Sequence, residues 1–158
     1  MSQINDGRGF RRKAKPIKDA EGYAEFLRTF PFCMCCHVPM QWAPYPGLSR
    51  HHIIKFKRSD DWCNLVVCCD RDHSLAELHT IREGGVALPK LTLGIMLTIK
   101  KEADPDNWNP ERLEELRGQP LPELEPIPDF LLRDRTRWGG LAMVQRLVRP
   151  ENGTSIGG

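Results

Sequence analysis

The chain has 158 residues, 40% of them hydrophobic and 28% charged, which is the composition of a soluble globular protein with room for one sizeable core. A net charge of +2 identifies no partner by itself, and no run of about 18 apolar residues is present to cross a membrane. The polar, basic N-terminus argues against a secretory signal peptide, so the expected location is cytoplasmic.

Charge is unevenly spread. Residues 8–18 hold Arg8, Arg11, Arg12, Lys13, Lys15 and Lys18 with no acid, so residues 1–18 read as a flexible basic arm. Residues 19–30 read as a short helix, with Asp19 as cap and Tyr23, Phe26, Leu27 and Phe30 on one face. Pro31 stops it. Residues 32–50 are a Cys-rich turn followed by a loop with Pro39, Pro44, Pro46 and Gly47.

Residues 51–56 (HHIIKF) are short, apolar and β-branched, which predicts a strand; residues 64–69 (NLVVCC) predict a second. From 70 to about 81 the pattern is helical, with Leu75, Leu78 and Ile81 as its apolar face and Gly84-Gly85 ending it. Residues 90–102 fit a further helix, although Thr, Ile and Gly94 leave a strand open. Residues 107–117 form a helix with Asn109 as N-cap, Pro110 in the first turn and Gly118 after the last. Four prolines within 119–129 make a stiff, extended linker. Residues 130–149 suit short helical pieces around Gly139-Gly140, and the end, ENGTSIGG, is expected to be disordered. The expected organisation is a basic arm (1–18), a core (19–103), a helical and Pro-rich extension (104–150) and a tail (151–158).

The chemistry concentrates in the middle. Adjacent strand residues point to opposite faces, so His51 and His52 cannot easily do the same job. One could bind a metal while the other activates water, a division suited to phosphodiester hydrolysis. Asn64, twelve residues on, could accept from an imidazole nitrogen and set the tautomer of the base. His73 and Glu77 sit at i and i+4 on the predicted helix and share a face. With His51 they would form a mixed N/O site with open positions. The six cysteines, at 33, 35, 36, 63, 68 and 69, point to zinc rather than disulfides in a chain without an export signal.

The run H-H-I-I followed by N-L-V-V-C-C-D-R-D-H resembles the signature of the HNH (ββα-metal) endonucleases, over about residues 32–80. The resemblance implies a strand–loop–strand–helix unit clasping one divalent ion, with His51 and His73 as ligands, His52 as general base and Asn64 orienting that base or supporting the metal. Some members carry a second helix histidine where this chain has Glu77; His79 lies six residues after His73. Many members also hold a structural zinc through paired ligands. Here Cys33, Cys36 and Cys69 fit, with Asp72, His37, Cys35 or Cys68 as the fourth ligand and Cys63 as a core thiol.

The expected fold is therefore α+β, a small ββα-metal core with added helices and a structural zinc site. The expected function is metal-dependent cleavage of DNA, with Mg²⁺ or a transition ion such as Mn²⁺, Ni²⁺ or Zn²⁺, leaving 5′-phosphate and 3′-hydroxyl ends. DNA contacts are expected from Arg11, Arg12, Lys13 and Lys15 on the arm, and from Lys55, Lys57 and Arg58. The size and basic arm suit a phage or bacterial accessory nuclease, with a homodimer or a DNA-processing protein as partner. Two alternatives stand beside it: a non-catalytic zinc module that binds DNA or protein, and a toxin nuclease with an acidic immunity partner.

Overall fold

In the computed structural model, which describes residues 20–148, the first helix runs Ala20–Thr29 (α1). Tyr23, Phe26 and Phe30 are buried on its inner face, where Phe26 meets Phe30 and the edge of Trp62 at centroid distances of 5.0 and 5.1 Å. Each such ring withdrawn from water contributes about 1.5–3 kcal/mol. The expected cap Asp19, the basic arm with Arg11, Arg12, Lys13 and Lys15, and the chain from residue 149 lie outside the described residues.

The chain is α+β, with two small two-stranded antiparallel sheets among its helices. The first sheet pairs Leu48–His52 (β1) with Leu65–Cys69 (β2), Ser49 opposite Cys68 and His51 opposite Val66. The first strand was expected at 51–56 and lies earlier. Ile53 still donates to the Asn64 carbonyl (2.9 Å), but Ile53 and Ile54 lie beyond the strand and are buried in the core, so their apolarity reflects burial. A turn then follows, with the Arg58 N–H donating to the Lys55 carbonyl at 3.2 Å. Asn64 closes a short 3₁₀ turn, Trp62–Asn64, before β2 instead of opening the strand.

Helix α2 (Asp70–Ala76) follows β2 directly and is shorter than expected. Leu78 at φ +66° closes it, with its N–H donating to the Leu75 carbonyl (3.0 Å) and that of His79 to the Ser74 carbonyl (2.9 Å). This is the Schellman arrangement with leucine where glycine is usual, at a cost of about 1–2 kcal/mol for the left-handed residue. Gly84 and Gly85 therefore do not end the helix. They form the turn of a hairpin between Arg82–Glu83 (β3) and Val86–Ala87 (β4), both with positive φ, as a tight two-residue hairpin requires.

Helix α3 (Leu93–Ala103) buries Ile95, Met96, Leu97 and Ile99. Gly94 is explained by contact: a Cβ there would meet the Glu123 carbonyl oxygen at 2.6 Å. The proline-rich stretch lies against α3, with the Glu125 N–H donating to the Gly94 carbonyl (3.1 Å) and Thr98 Oγ1 to the Glu125 carbonyl (2.6 Å). Helix α4 (Pro110–Arg117) has the expected ends: Asn109 Oδ1 accepts from the Arg112 N–H, and Gly118 is left-handed. Helices α5 (Asp129–Thr136) and α6 (Leu141–Val148) flank Gly139 and Gly140. Among the described residues, no helix is long and apolar enough to cross a membrane.

Lys100 could not have been placed from sequence. It looks like the solvated end of α3, yet it is fully buried. Its ammonium donates to Asp104 Oδ2 (2.7 Å) and to the carbonyls of Trp62 (2.7 Å) and Leu65 (2.8 Å). It thereby ties α3 to the start of β2.

Candidate metal centre

The alternation of β1 separates its side chains. Ser49 and His51 face α2, where Ser49 Oγ and His73 Nδ1 are hydrogen-bonded at 2.9 Å and the His51 and His73 rings meet edge to face at 5.1 Å. Arg50 and His52 face α1, with the Arg50 guanidinium 3.3 Å from the Tyr23 ring centroid. His51 and His52 thus lie on opposite faces of β1, as strand alternation requires.

His51, His73 and Glu77 present one donor atom each, all within 4.8 Å of one another. Glu77 Oε2 lies 3.2 Å from His51 Nδ1 and 3.4 Å from His73 Nε2. Donors bound about 2.1 Å from a common ion stand about 3.0 Å apart at right angles and about 3.4 Å apart at tetrahedral angles. The spacing fits a metal ion. His51 Nδ1 is buried and makes no aligned hydrogen bond, so its proximity to Glu77 is not that of a hydrogen-bonded pair, and its lone pair could serve an ion. Burial, then the neighbouring His73, lowers the His51 pKa to about 4 despite Glu77. The ring is therefore neutral at pH 7, as a ligand must be. For His73 Nε2 to offer a lone pair to an ion, the proton in the Ser49 Oγ–His73 Nδ1 hydrogen bond must come from the ring. Lys55 pairs with the other Glu77 oxygen, and burial notwithstanding, this pairing lowers the Glu77 pKa.

A cavity of about 300 Å³ opens beside this cluster, lined by His51, Lys55, Leu78, Leu91, Thr92 and Met96 among others. The left-handed turn at Leu78 is what turns that side chain onto the cavity's edge. His79 is exposed and outside the cluster.

On the other face, His52 Nε2 lies 3.0 Å from Asp60 Oδ1, and the Tyr23 hydroxyl donates to the same oxygen. Burial raises the Tyr23 pKa, and Asp60 adds to the rise. Sequence reasoning did not find Asp60, because an irregular loop, whose shape no local pattern sets, separates it from His52. Ser49 was missed for a different reason. Strand alternation would have placed it beside His51 had the strand been set at 48–52.

Asn64 touches neither imidazole, a correction to its expected role. Its Oδ1 accepts from the Ile54 N–H (2.7 Å), and its Nδ2 donates to the Ile54 (3.1 Å) and Ser59 (3.0 Å) carbonyls. A fully buried amide satisfied by three backbone groups fixes a loop rather than a side chain. Asn64 acts on His52 only through that loop, which begins beside His52 and ends at Asp60.

A second cluster joins Cys33, Cys36, Cys69 and Asp72, all buried, with donor atoms again within 4.8 Å. Cys36 Sγ and Cys69 Sγ are 3.9 Å apart, and Cys33 Sγ is 3.3 Å from Asp72 Oδ2. Tetrahedral zinc would set about 3.8 Å for two sulfurs and about 3.5 Å for sulfur and oxygen. The Cys36 N–H donates to Cys33 Sγ at 3.4 Å. Asp72 is aimed by Arg71, whose Nε donates to Oδ1 (2.9 Å) while its other nitrogens reach Glu83 (3.0 Å) and Asp134 (2.6 Å). Arg135 of α5 clamps the turn from behind through the carbonyls of Cys35 (2.7 Å) and Met34 (3.2 Å).

Burial raises the Cys33 thiol, and contact with Cys33 raises Cys36 and also Cys69, the latter to about 11. Burial, then Cys69, holds Asp72 at about 6 against the pull of Arg71. Four acids packed this closely are natural partners of a cation. Of the four residues open as the last ligand, Asp72 joins the cluster. His37 packs edge-on to Phe32, and Cys35 pairs with Cys68 at 3.9 Å.

Of the expected nucleic-acid contacts within the described residues, Lys55, Lys57 and Arg58 are all exposed on one turn. Compared with protein-family models, with curated proteins and with solved structures, the chain matches none.

Proposed function

We propose that the protein is a metal-dependent endonuclease of the HNH (ββα-metal) type that hydrolyses phosphodiester bonds in DNA. The observation that carries this reading is the convergence of His51, His73 and Glu77 on one ion-sized site, with His52 next in sequence and held by its own carboxylate on the opposite face of β1. In-line displacement at phosphorus needs a base on the side of the attacking water and charge stabilisation on the side of the leaving oxygen. Two adjacent strand residues facing apart supply that separation.

A divalent ion held by His51, His73 and Glu77 would stabilise the charge developing on the phosphate and the leaving oxygen. Two imidazoles and one carboxylate suit a transition ion such as Zn²⁺, Ni²⁺ or Mn²⁺ more than Mg²⁺. His52 takes the proton from the attacking water. Its Nε2–H, donated to Asp60, leaves Nδ1 as the basic nitrogen, and the Asp60 charge favours the imidazolium that forms. Tyr23 holds Asp60 in place. Lys55 keeps Glu77 turned toward the two histidines and adds positive charge where a phosphate must enter. The second, closed cluster fits a structural Zn²⁺ bound by Cys33, Cys36, Cys69 and Asp72.

The test is cleavage of supercoiled plasmid by purified protein with Mg²⁺, Mn²⁺, Ni²⁺ or EDTA, beside His52→Ala. Metal-dependent nicking or linearisation is expected, reduced about 10²- to 10⁴-fold in the variant, the range of a lost general base. A variant that cuts normally would remove His52 as the base. No cleavage with any metal, from folded and zinc-loaded protein, would leave a zinc-binding interaction module as the better reading.

A further inference from the structure

The turn at residues 55–58 carries an apolar residue that the fold does not use. Phe56 is 77% exposed, whereas Phe26, Phe30, Phe32 and Phe130 are buried. An exposed phenylalanine forgoes the stabilisation that burial provides, so its neighbours decide what it is for. Lys55, Lys57 and Arg58 flank it, and no acid interrupts the run.

The turn is built to present these groups. Asn64 staples both its ends through the backbone of Ile54 and Ser59, the Arg58 N–H closes it on the Lys55 carbonyl, and Arg58 takes φ +48°. Its position is equally specific. Lys55 reaches Glu77 of the candidate metal site, and the far end runs into Asp60, the partner of His52. One exposed aromatic face set among three cations, and rooted at both halves of the site, matches a polyanion that also carries flat π surfaces. Nucleic acid is that polyanion.

We propose that Phe56 is a base-stacking residue that selects DNA with an unpaired base beside the cleaved phosphate, while Lys57 and Arg58 hold the flanking phosphates. This rests on the nuclease reading. Stacking on a base already out of the helix gains the contact without the cost of opening a duplex step. The preferred substrate is therefore single-stranded, mispaired or branched DNA rather than intact duplex.

Binding can be separated from cleavage in a His52→Ala background by fluorescence anisotropy. The probes are a labelled 20-nucleotide single strand, the same sequence as duplex, and vesicles of phosphatidylserine and phosphatidylcholine. Phe56→Ala is expected to weaken single-strand binding about 5- to 150-fold, the range of one lost stacking contact. Duplex binding should change less than about twofold and the salt slope should stay constant, because no phosphate contact is lost. Phe56→Trp should restore the affinity. The double variant Lys57→Ala/Arg58→Ala should flatten the salt slope on both DNAs.

Unchanged single-strand affinity in Phe56→Ala would overturn the proposal, as would an effect confined to vesicles, which would make the turn a membrane contact. Hydrolysis of a small chromogenic phosphodiester by the protein with His52 intact reads the metal site separately. Its absence with every metal would remove the nuclease reading while a Phe56-dependent preference for single strands supported the contact. Normal hydrolysis with unaltered strand affinity would remove the contact alone.

Discussion

Two clusters of side chains that could hold a metal ion gather around β1, β2, α2 and the Cys33–Cys36 turn, and they are built to opposite specifications. Cys33, Cys36, Cys69 and Asp72 offer four donors, all buried, with Arg71 and Arg135 bracing the carboxylate and the turn. His51, His73 and Glu77 offer three donors, two of them half-buried, at the edge of a cavity. Asp72 and His73 are neighbours on α2 and serve different clusters. A closed four-donor set holds structure, and a three-donor set with open positions does chemistry. One short helix can therefore contribute to both clusters, because its successive side chains point about 100° apart.

The largest effect should come from breaking the closed cluster. Cys36→Ser is expected to lose one zinc equivalent by elemental analysis and to abolish the cooperative thermal transition, since structural zinc in small domains supplies folding energy on the order of 10 kcal/mol. His73→Ala, at the open cluster, should keep its zinc and its melting transition while losing the activating ion. If the two variants unfold alike, the distinction between the clusters fails.

Next is a change outside both. Lys100→Met should cost about 3–5 kcal/mol in denaturant unfolding, because it removes the cation from the buried Asp104 carboxylate and a donor from the Trp62 and Leu65 carbonyls. Metal content at both clusters should be unchanged. A loss below about 1 kcal/mol would mean that the ion pair is not essential to the core.

Smaller effects concern the face of β1 that carries His52. Asp60→Asn should lower the cleavage rate about 10- to 100-fold with metal affinity intact, the scale of a lost supporting hydrogen bond. The same variant carries a pH signature. Burial alone would raise the Asp60 carboxyl, but hydrogen bonds from His52 and Tyr23, and the Arg50 charge, hold it below the ordinary carboxylate range. A depressed folded-state value contributes stability above the unfolded-state value of about 3.9 and loses it as the pH falls through the folded one. The stability difference between wild type and Asp60→Asn should be full at pH 7 and close below about pH 4. A difference that grew on acidification would reverse the assignment. Smallest of all, Ser49→Ala should weaken metal binding at the open cluster about tenfold by freeing the His73 ring, with zinc at the closed cluster unaffected. Equal affinity by titration calorimetry would make Ser49 a bystander.

Elements with strong local signals were legible in the sequence. The periodicity of α1, the Asn109 and Gly118 ends of α4, and the break at Gly139-Gly140 are decided by nearest neighbours along the chain. So were the pairs Cys33–Cys36 and His73–Glu77, because residues at fixed turn and helix spacing come together once their element forms; the joining of the cysteine pair to Cys69 and Asp72 was what the resemblance to the HNH signature implied. What the sequence left open depended on long-range partners. Ile53 and Ile54 look like strand residues, and only the register of β1 on β2 shows that the strand ends at His52. Asp72 emerged from four candidates for the last place among the cysteines because Arg71 aims it there. Asp60 reached His52 through a loop whose shape Asn64 sets, and Lys100 entered the core because buried carbonyls and Asp104 were waiting for it. Local chemistry chose the elements and the ligand types. Tertiary packing chose their partners, because a buried polar group must be satisfied by whatever the fold places within reach.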